Sequence, residues 1–401
     1  MSRQTVFRCG SFVLFLLSVA LLPACDQAAQ LEPTSTPPPS AVPATATATP
    51  VLPTATSTPI PPTPTITPTP TRTPKPTPTP QLAPVAQGYG AMTYDSESDL
   101  LVLRPEQGNY AKMIGLRSWT FDVGTNSWKK FAGPPMCGGP MAYDAQSDRT
   151  IAFLGAQWVG GMEFRKVSDT WAFDANSGEW TKMSPAESPG SLLGPRMVYD
   201  AQSDRTILFG GWDMGTDDAS DALDTWAYDY EADTWTNLDP AGDPPEGNNF
   251  FVMSYDAGAD RVLAYKRGYD RKALKPVYIV GVYDYETNTW EQRETAQSPE
   301  SYDYSAMVYD PKSGLNILFG GVDRAEEPYK ATWGYDYVTN TWKRMAMRNP
   351  PSARGWHAMA YHEGLGAIVL FGGGPSRDEF TDEMWVLDTS VGAWEQIETV
   401  P

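Results

Sequence analysis

Histidine and cysteine are nearly missing from this chain of 401 residues: it has His357 and His362, and Cys9, Cys25 and Cys137. Three cysteines build no disulfide framework, so stability must come from packing. Two histidines five residues apart on an extended segment lie about 17 Å apart at ~3.3 Å per residue, too far to share a metal ion. Basic charge is also short, with 30 Lys and Arg against 49 Asp and Glu. Beyond residue 80 the count is 26 basic against 47 acidic, a net of −21. Such a surface repels phosphate backbones and anionic lipid, which excludes nucleic acid as the expected partner. Serine-hydrolase, P-loop and HExxH patterns are absent.

The longest apolar run, "FVLFLLSVALL" (12–22), is too short for a comfortable membrane span. It follows Arg3 and Arg8 and leads into Leu22-Pro23-Ala24-Cys25, which resembles a bacterial lipobox. Residues 1–25 are therefore expected to be a lipoprotein signal peptide, with Cys25 the lipidated cysteine; an ordinary secretory peptide cut near Ala24 is the alternative. Either way the chain is expected to be exported. Residues 26–84 are dominated by Pro, Thr, Ala and Ser and end in "TPTPTRTPKPTPTP" (67–80) before the last few positions. This composition forms no core and favours polyproline II, so a stalk reaching on the order of 150 Å is expected.

Residues 85–401 repeat. A tryptophan recurs at Trp128, Trp180, Trp235, Trp290, Trp342 and Trp394, 52 to 55 residues apart. Six residues before each stands an aspartate, from Asp122 to Asp388, and two before each stands Asn126, Gly178, Asp233, Asn288, Asn340 or Gly392. These last types tolerate a left-handed backbone, which predicts a hairpin turn in every repeat. Nine residues before each stands Trp119, Trp171, Trp226, Gly281, Trp333 or Trp385, placing the paired tryptophans on strands either side of that turn.

A second hairpin precedes the first in each repeat. Its tyrosines are Tyr94, Tyr143, Tyr199, Tyr255, Tyr309 and Tyr361, each two residues after a methionine. Five residues later comes Asp99, Asp148, Asp204, Asp260, Gly314 or Gly366, again turn formers, and then an apolar strand such as "TILFGG" (206–211). Each repeat thus predicts four short strands, A to D. A four-stranded unit cannot bury two apolar faces alone; radial stacking into a six-bladed propeller buries both. The methionine at one position of all six repeats is read as packing between blades rather than as a ligand channel. Each terminal repeat holds all four of its strands, so blades 1 and 6 are expected to meet by side-chain packing alone, around Leu101 and Leu370.

The pattern resembles the kelch repeat, with repeat 6 nearest to it: "PPSARGWHAMAYHEGLGAIVLFGG" and then "EMWVLDTSVGAWEQI". Repeats 1, 2 and 4 depart from the Gly-Gly end of the second strand and are expected to be the least regular. The resemblance implies an all-β, six-bladed kelch-type propeller of four antiparallel strands per blade. Of its enzymatic relatives, galactose oxidase needs copper ligands that two distant histidines cannot supply. A sialic-acid mutarotase remains the alternative.

The short A–B and C–D turns share one face, and the variable B–C loops and D–A crossovers share the other. Variable loops on a rigid scaffold are where ligands bind. Trp158, Arg165, Trp212, Asp213, Tyr269, Arg271, Asp323, Arg324, Trp356 and Arg377 lie there, a mix that suits sugars or polar protein surfaces. Asp213, Asp217, Asp218, Asp221 and Asp224 form a weak calcium candidate without EF-hand spacing. The expectation is a lipid-anchored binding module for an extracellular protein or glycan, acting as a monomer and without a cofactor. Membrane contact is expected only through the anchor, and a sugar-active enzyme of the mutarotase (sialic-acid epimerase) type is the second reading.

Overall fold

The computed structural model describes residue 84 and residues 88–399, apart from 107–116, 135–138, 156, 161–162, 216–219, 246–250, 271–274, 300–302 and 324. For residues 89, 105–106, 157–160, 163–164, 220–221, 267–270 and 275–277 it describes the backbone alone. All described residues belong to one compact unit, Lys75–Pro401. The expected signal peptide, Cys25, the stalk up to residue 83 and Cys137 lie outside the described residues. No helix among those described is long and apolar enough to cross a membrane.

Six antiparallel blades follow one another along the chain. In blade 1, strands A to D are Gly88–Asp95, Leu100–Glu106, Arg117–Asp122 and Ser127–Ala132. Blade 2 has Met141–Asp144, Arg149–Leu154, Asp169–Asp174 and Glu179–Lys182. Blade 3 has Arg196–Asp200, Arg205–Phe209, Thr225–Asp229 and Thr234–Asn237. Blade 4 has Val252–Asp256, Arg261–Asp270, Lys275–Asp284 and Thr289–Glu294. Blade 5 has Ala306–Asp310, Leu315–Phe319, Thr332–Asp336 and Thr341–Met345. Blade 6 has Ala358–His362, Ala367–Phe371, Met384–Asp388 and Ala393–Ile397.

Strand A is innermost and packs against strand A of both neighbours, blade 1 against blade 6 included. Burial follows the blade interfaces: the apolar core divides into six clusters, one per pair of adjacent blades. Each repeat contributes its methionine to one of them, and all six methionines are buried. The methionine ring is therefore interblade packing, as its repetition predicts.

Turn chemistry explains the register. All six A–B turn residues, Asp99, Asp148, Asp204, Asp260, Gly314 and Gly366, have φ between 53° and 67°. All six C–D turn residues, Asn126, Gly178, Asp233, Asn288, Asn340 and Gly392, have φ between 48° and 76°. Asp and Asn hold this region because their side chains bond locally. Tyr199 donates to Asp204 Oδ1 at 3.0 Å, and Tyr283 donates to Asn288 Oδ1 at 2.8 Å. The aspartate ending strand C accepts the turn N–H groups, as Asp229 does from Ala232 at 2.9 Å. His362 stands where the other repeats end strand A with aspartate, and its Nδ1 accepts the Leu365 N–H at 3.3 Å.

Blade 4 departs most. Gly281 replaces the first tryptophan, and a Cβ built on it would lie 2.7 Å from Pro245. The crossover from blade 3 fills that space, and its Ala241–Gly242 adds a fifth, parallel strand beside Thr289–Glu294. In blade 1, strand A carries a register shift between Gly88 and Ala91.

The closure between blades 1 and 6 corrects the expectation in two respects. Each blade is one continuous segment, but the contact is not side-chain packing alone: Asn126 Nδ2 donates to the backbone carbonyl of Glu398 at 2.8 Å. Asn288 to Leu238 and Asn340 to Glu294 are the same bond at other interfaces, so the seam is built like its neighbours. Leu101 packs at the seam, but Leu370 faces blade 5, and it is Val369 that faces blade 1. Alternation along a strand sends adjacent residues to opposite faces.

Candidate functional site

The two faces differ in what their polar side chains do. On the turn face they are spent on the fold. Tyr143, Tyr199 and Tyr255 each donate to the aspartate of their own turn and accept a backbone N–H from the preceding blade's turn. In blades 2 to 4, Arg149, Arg205 and Arg261 bridge that aspartate to the one ending strand C.

The loop face is built up unevenly. The B–C connection of blade 2 forms its own hairpin, Gln157–Gly160 with Glu163–Arg165. In blade 3, Trp212–Asp213 pairs with Ser220–Asp221 and with Leu192–Leu193 of the incoming crossover. In blade 4, strands B and C run ten residues each, pairing as far as Asp270 with Lys275. The variable B–C connections 156–168, 212–223 and 267–276, expected from the sequence as loops, all carry added strands. Their alternation was masked by glycines and short length. The five residues of extra hairpin in blade 4 stand about 17 Å tall at ~3.3 Å per residue.

Blades 5 and 6 carry lower, tied loops. Asp323 Oδ1 accepts the N–H groups of Ala325 and Glu327, folding the blade 5 loop on itself. Arg377 of blade 6 forms an ion pair with Glu326 of blade 5. Beneath them Arg354, wholly buried, donates to Gly372 O, Thr381 Oγ1, Ser352 and Glu383 Oε2. Burial would raise the Glu383 pKa, but hydrogen bonds from Arg354 and Trp385 outweigh it and hold the carboxyl below its ordinary value. His357 lies under the same loops, its ring 5.5 Å from Phe319. Burial first, and the Arg354 charge second, bring its pKa down to about 3, so the ring is neutral.

Of the sequence candidates, Arg165 is exposed, Trp212 is 38% exposed and Asp213 is half-buried, its Oδ1 accepting the Gly215 N–H at 2.7 Å. Lys166 Nζ reaches Gly215 O at 3.4 Å, which brings the blade 2 hairpin and the blade 3 loop together. Trp356 is not a rim residue: it is 2% exposed, stacked on Tyr304 with ring centroids 5.0 Å apart and 6.3 Å from Phe380. Tyr304 and Phe380 were missed by sequence reading. Tyr304 stands in its repeat where Trp356 stands in the next, three residues before the methionine, and that equivalence was the available signal. Arg271, Arg324, Asp217 and Asp218 lie outside the described residues, as do the side chains of Trp158, Tyr269 and Asp221. Among the described residues no group of three or more metal-ligating side chains is assembled.

Residues 266–401 match the KLHDC2/KLHL20/DRC7 Kelch-repeats domain. The chain is similar to acyl-CoA-binding domain-containing protein 4 of Arabidopsis thaliana, 25% identical over 256 residues, 60% of this chain and 36% of the relative. It is also similar to Mei4-dependent protein 6 of Schizosaccharomyces pombe, 26% identical over 261 residues, 62% of this chain and 29% of the relative. The chain thus spans about a third of the length of these curated relatives, 36% and 29%. The solved structure of YjhT superposes with a TM-score of 0.60 at 11% identity, covering 79% of this chain and 99% of that one.

Proposed function

We propose that this chain, a kelch-type β-propeller, is a binding module whose partner, a protein or a glycan, docks on the loop face. The observation that carries the reading is the division between the faces. Turn-face polar groups are consumed by caps and interblade bonds, whereas the loop face varies from blade to blade and rises at blades 2 to 4. Arg165, Lys166 and Trp212 stand on those raised loops at the blade 2–3 interface. The net charge of −21 beyond residue 80 favours a neutral or basic partner over an anionic one.

Catalysis on a sugar would need an acid or base poised near neutrality. Two of the described loop-face groups do not offer one: Glu383 is held as a carboxylate by Arg354 and Trp385, and His357 is buried and neutral. Binding is therefore the preferred reading, with no cofactor and one copy sufficient. The lipobox-like Leu22–Cys25 and the Pro/Thr-rich stalk support display outside the cytoplasm, anchored by lipid on Cys25.

The test is to probe arrays of glycans and of cell-surface proteins with the full chain and with an Arg165→Glu, Trp212→Ala variant. Retained ligands in wild type, lost in the variant, support the reading. A ligand retained equally by the variant removes these residues from it, and turnover of a sugar anomer would replace binding with catalysis.

A further inference from the structure

We propose that the seam between blades 6 and 1 closes on a proton-sensitive latch, the neutral His362 ring held against Tyr94 and Asp99 of blade 1. The inference does not depend on what the loop face binds.

Five blades end strand A with a buried aspartate, Asp95, Asp144, Asp200, Asp256 and Asp310. Each accepts N–H groups of its own turn, as Asp95 does from Ser98 at 3.0 Å. In blades 4 and 5 the aspartate also takes a polar group of the next blade. Asp256 accepts Asn316 Nδ2 at 2.7 Å, and Asp310 accepts the Thr389 hydroxyl. Blade 1 holds Leu101 and Val123 at those two repeat positions, and both pack in the seam cluster. A carboxylate buried against them would be costly. Only blade 6 ends strand A with histidine, whose neutral ring brings no charge to bury.

His362 is 2% exposed, and its ring lies on Tyr94 of blade 1 with centroids 4.3 Å apart and planes at 31°. Nδ1 accepts the Leu365 N–H at 3.3 Å, so it carries no proton, and it stands 3.7 Å from Asp99 Oδ1. Nε2 is buried, with no partner among the described residues. The two turns touch: a Cβ on Gly364 would lie 2.7 Å from Asp99 Oδ1. Among the described residues, the titratable groups facing the ring are Asp99 and Tyr94 from blade 1 and Glu363 from its own turn. Lys312 of blade 5 lies against Gly366, at the end of that turn.

A proton on Nδ1 changes the seam in three ways. It displaces the Leu365 N–H and uncaps the blade 6 turn. It puts a charge in the cluster of Leu101 and Val123. It also gives Asp99 an opposite charge, but that side chain is 65% exposed and already accepts from Tyr94 at 2.7 Å. Water screens an exposed partner, so the gain is smaller than the loss. Burial accordingly sets the His362 pKa below its ordinary value, with Asp99 and Glu363 opposing. Opening the seam returns the ring to water and to a value of about 6.5. The open form then binds the proton more readily, so opening rises below about pH 6.5, by up to ~tenfold per pH unit. The outer tie, Asn126 Nδ2 to the Glu398 carbonyl, does not titrate. Strand A is thus the latch and the outer edge the hinge. His357, with its pKa at about 3, stays neutral down to pH 5.

The experiment is hydrogen–deuterium exchange of the full chain at pH 7, 6 and 5, with labelling times scaled to the intrinsic exchange rates. Residues 92–101 and 359–368 report the seam, and the equivalent 197–206 of blade 3 are the control. Opening at the seam should rise by about fivefold or more from pH 7 to 5 relative to blade 3. His362→Asn, which can still accept the Leu365 N–H but does not titrate, should hold the seam flat. Asp99→Asn keeps a residue suited to φ 56° and an acceptor for Tyr94 while removing the opposing charge, so its seam should open further in acid. A wild-type seam that tracks blade 3 at every pH overturns the proposal, as does an acid response left intact in His362→Asn. Should that variant fail to fold, Asp99→Asn decides: a seam no more acid-sensitive than wild type overturns the latch.

Discussion

The indole N–H of Trp235 donates to Thr170 Oγ1 of the preceding blade at 2.8 Å, inside the core. Thr170 is the residue just before the first tryptophan of its repeat. Trp180 uses Ser118 the same way, Trp290 uses Thr225 and Trp394 uses Thr332. In blades 4 and 6 that position holds Val280 and Met384, and the indoles they would serve, Trp342 and Trp128, are buried with no partner for Nε1. Thr170→Val should therefore cost about 1–3 kcal/mol by orphaning an indole, whereas Val280→Thr should stabilise by ~0.5–1.5 kcal/mol. Urea unfolding of the two variants checks both signs, and a destabilised Val280→Thr would refute the pairing rule.

Gly281 is the one first-tryptophan position without an indole, because Pro245 has taken the space. Restoring the repeat with Gly281→Trp should destabilise rather than improve blade 4, by ~1–3 kcal/mol or more from overpacking. Combining it with Pro245→Gly should recover part of the loss. Additive losses in that double variant, measured by thermal melting, would show that Pro245 is not the obstacle.

At the C–D turn of blade 4, Asn288 has φ 51°, accepts from Tyr283 and donates to Leu238 O at 2.7 Å. Asn288→Gly keeps the backbone and loses the bonds; Asn288→Ala loses both. Alanine should be the worse substitution by about 1 kcal/mol, since glycine carries no left-handed penalty. Equal melting temperatures for the two would remove strain from the account of this turn.

Much of the scaffold was legible in the residues, because turns write themselves in side chains that tolerate positive φ. Asn126, Asp233 and Asn340 announced their turns, and the recurring Trp and Met set the blade spacing. His362 could be placed as a stand-in for aspartate by register alone. The loop face was less legible. Its strands at 157–165 and 212–221 are too short to show a period, and Trp356 looked like a rim residue because burial there depends on Tyr304 and Phe380, which come from other loops. Side chains brought together only by ring closure leave no local pattern, so Leu370 and Val369 could not be told apart without the twist of blade 6.

Both histidines are buried in the neutral form, and this sets a direction for pH. Burial lowers each pKa, that of His357 to about 3 and that of His362 below its usual value, against roughly 6.5 in the unfolded chain. Asp99, 3.7 Å from His362 Nδ1, opposes the shift without reversing it. With folded pKa values below unfolded ones, the unfolded chain binds more protons in acid. The stability they allow is whole above about pH 6.5 and is lost as pH falls toward about 3. Arg354 adds to the cost of charging His357, so His357→Gln should flatten the decline, by up to ~1.4 kcal/mol per pH unit for one proton. Urea midpoints of wild type and variant between pH 4 and 7 measure it. Parallel curves across that range would mean that His357 carries no part of the acid sensitivity, which would then belong to His362 and the turn aspartates.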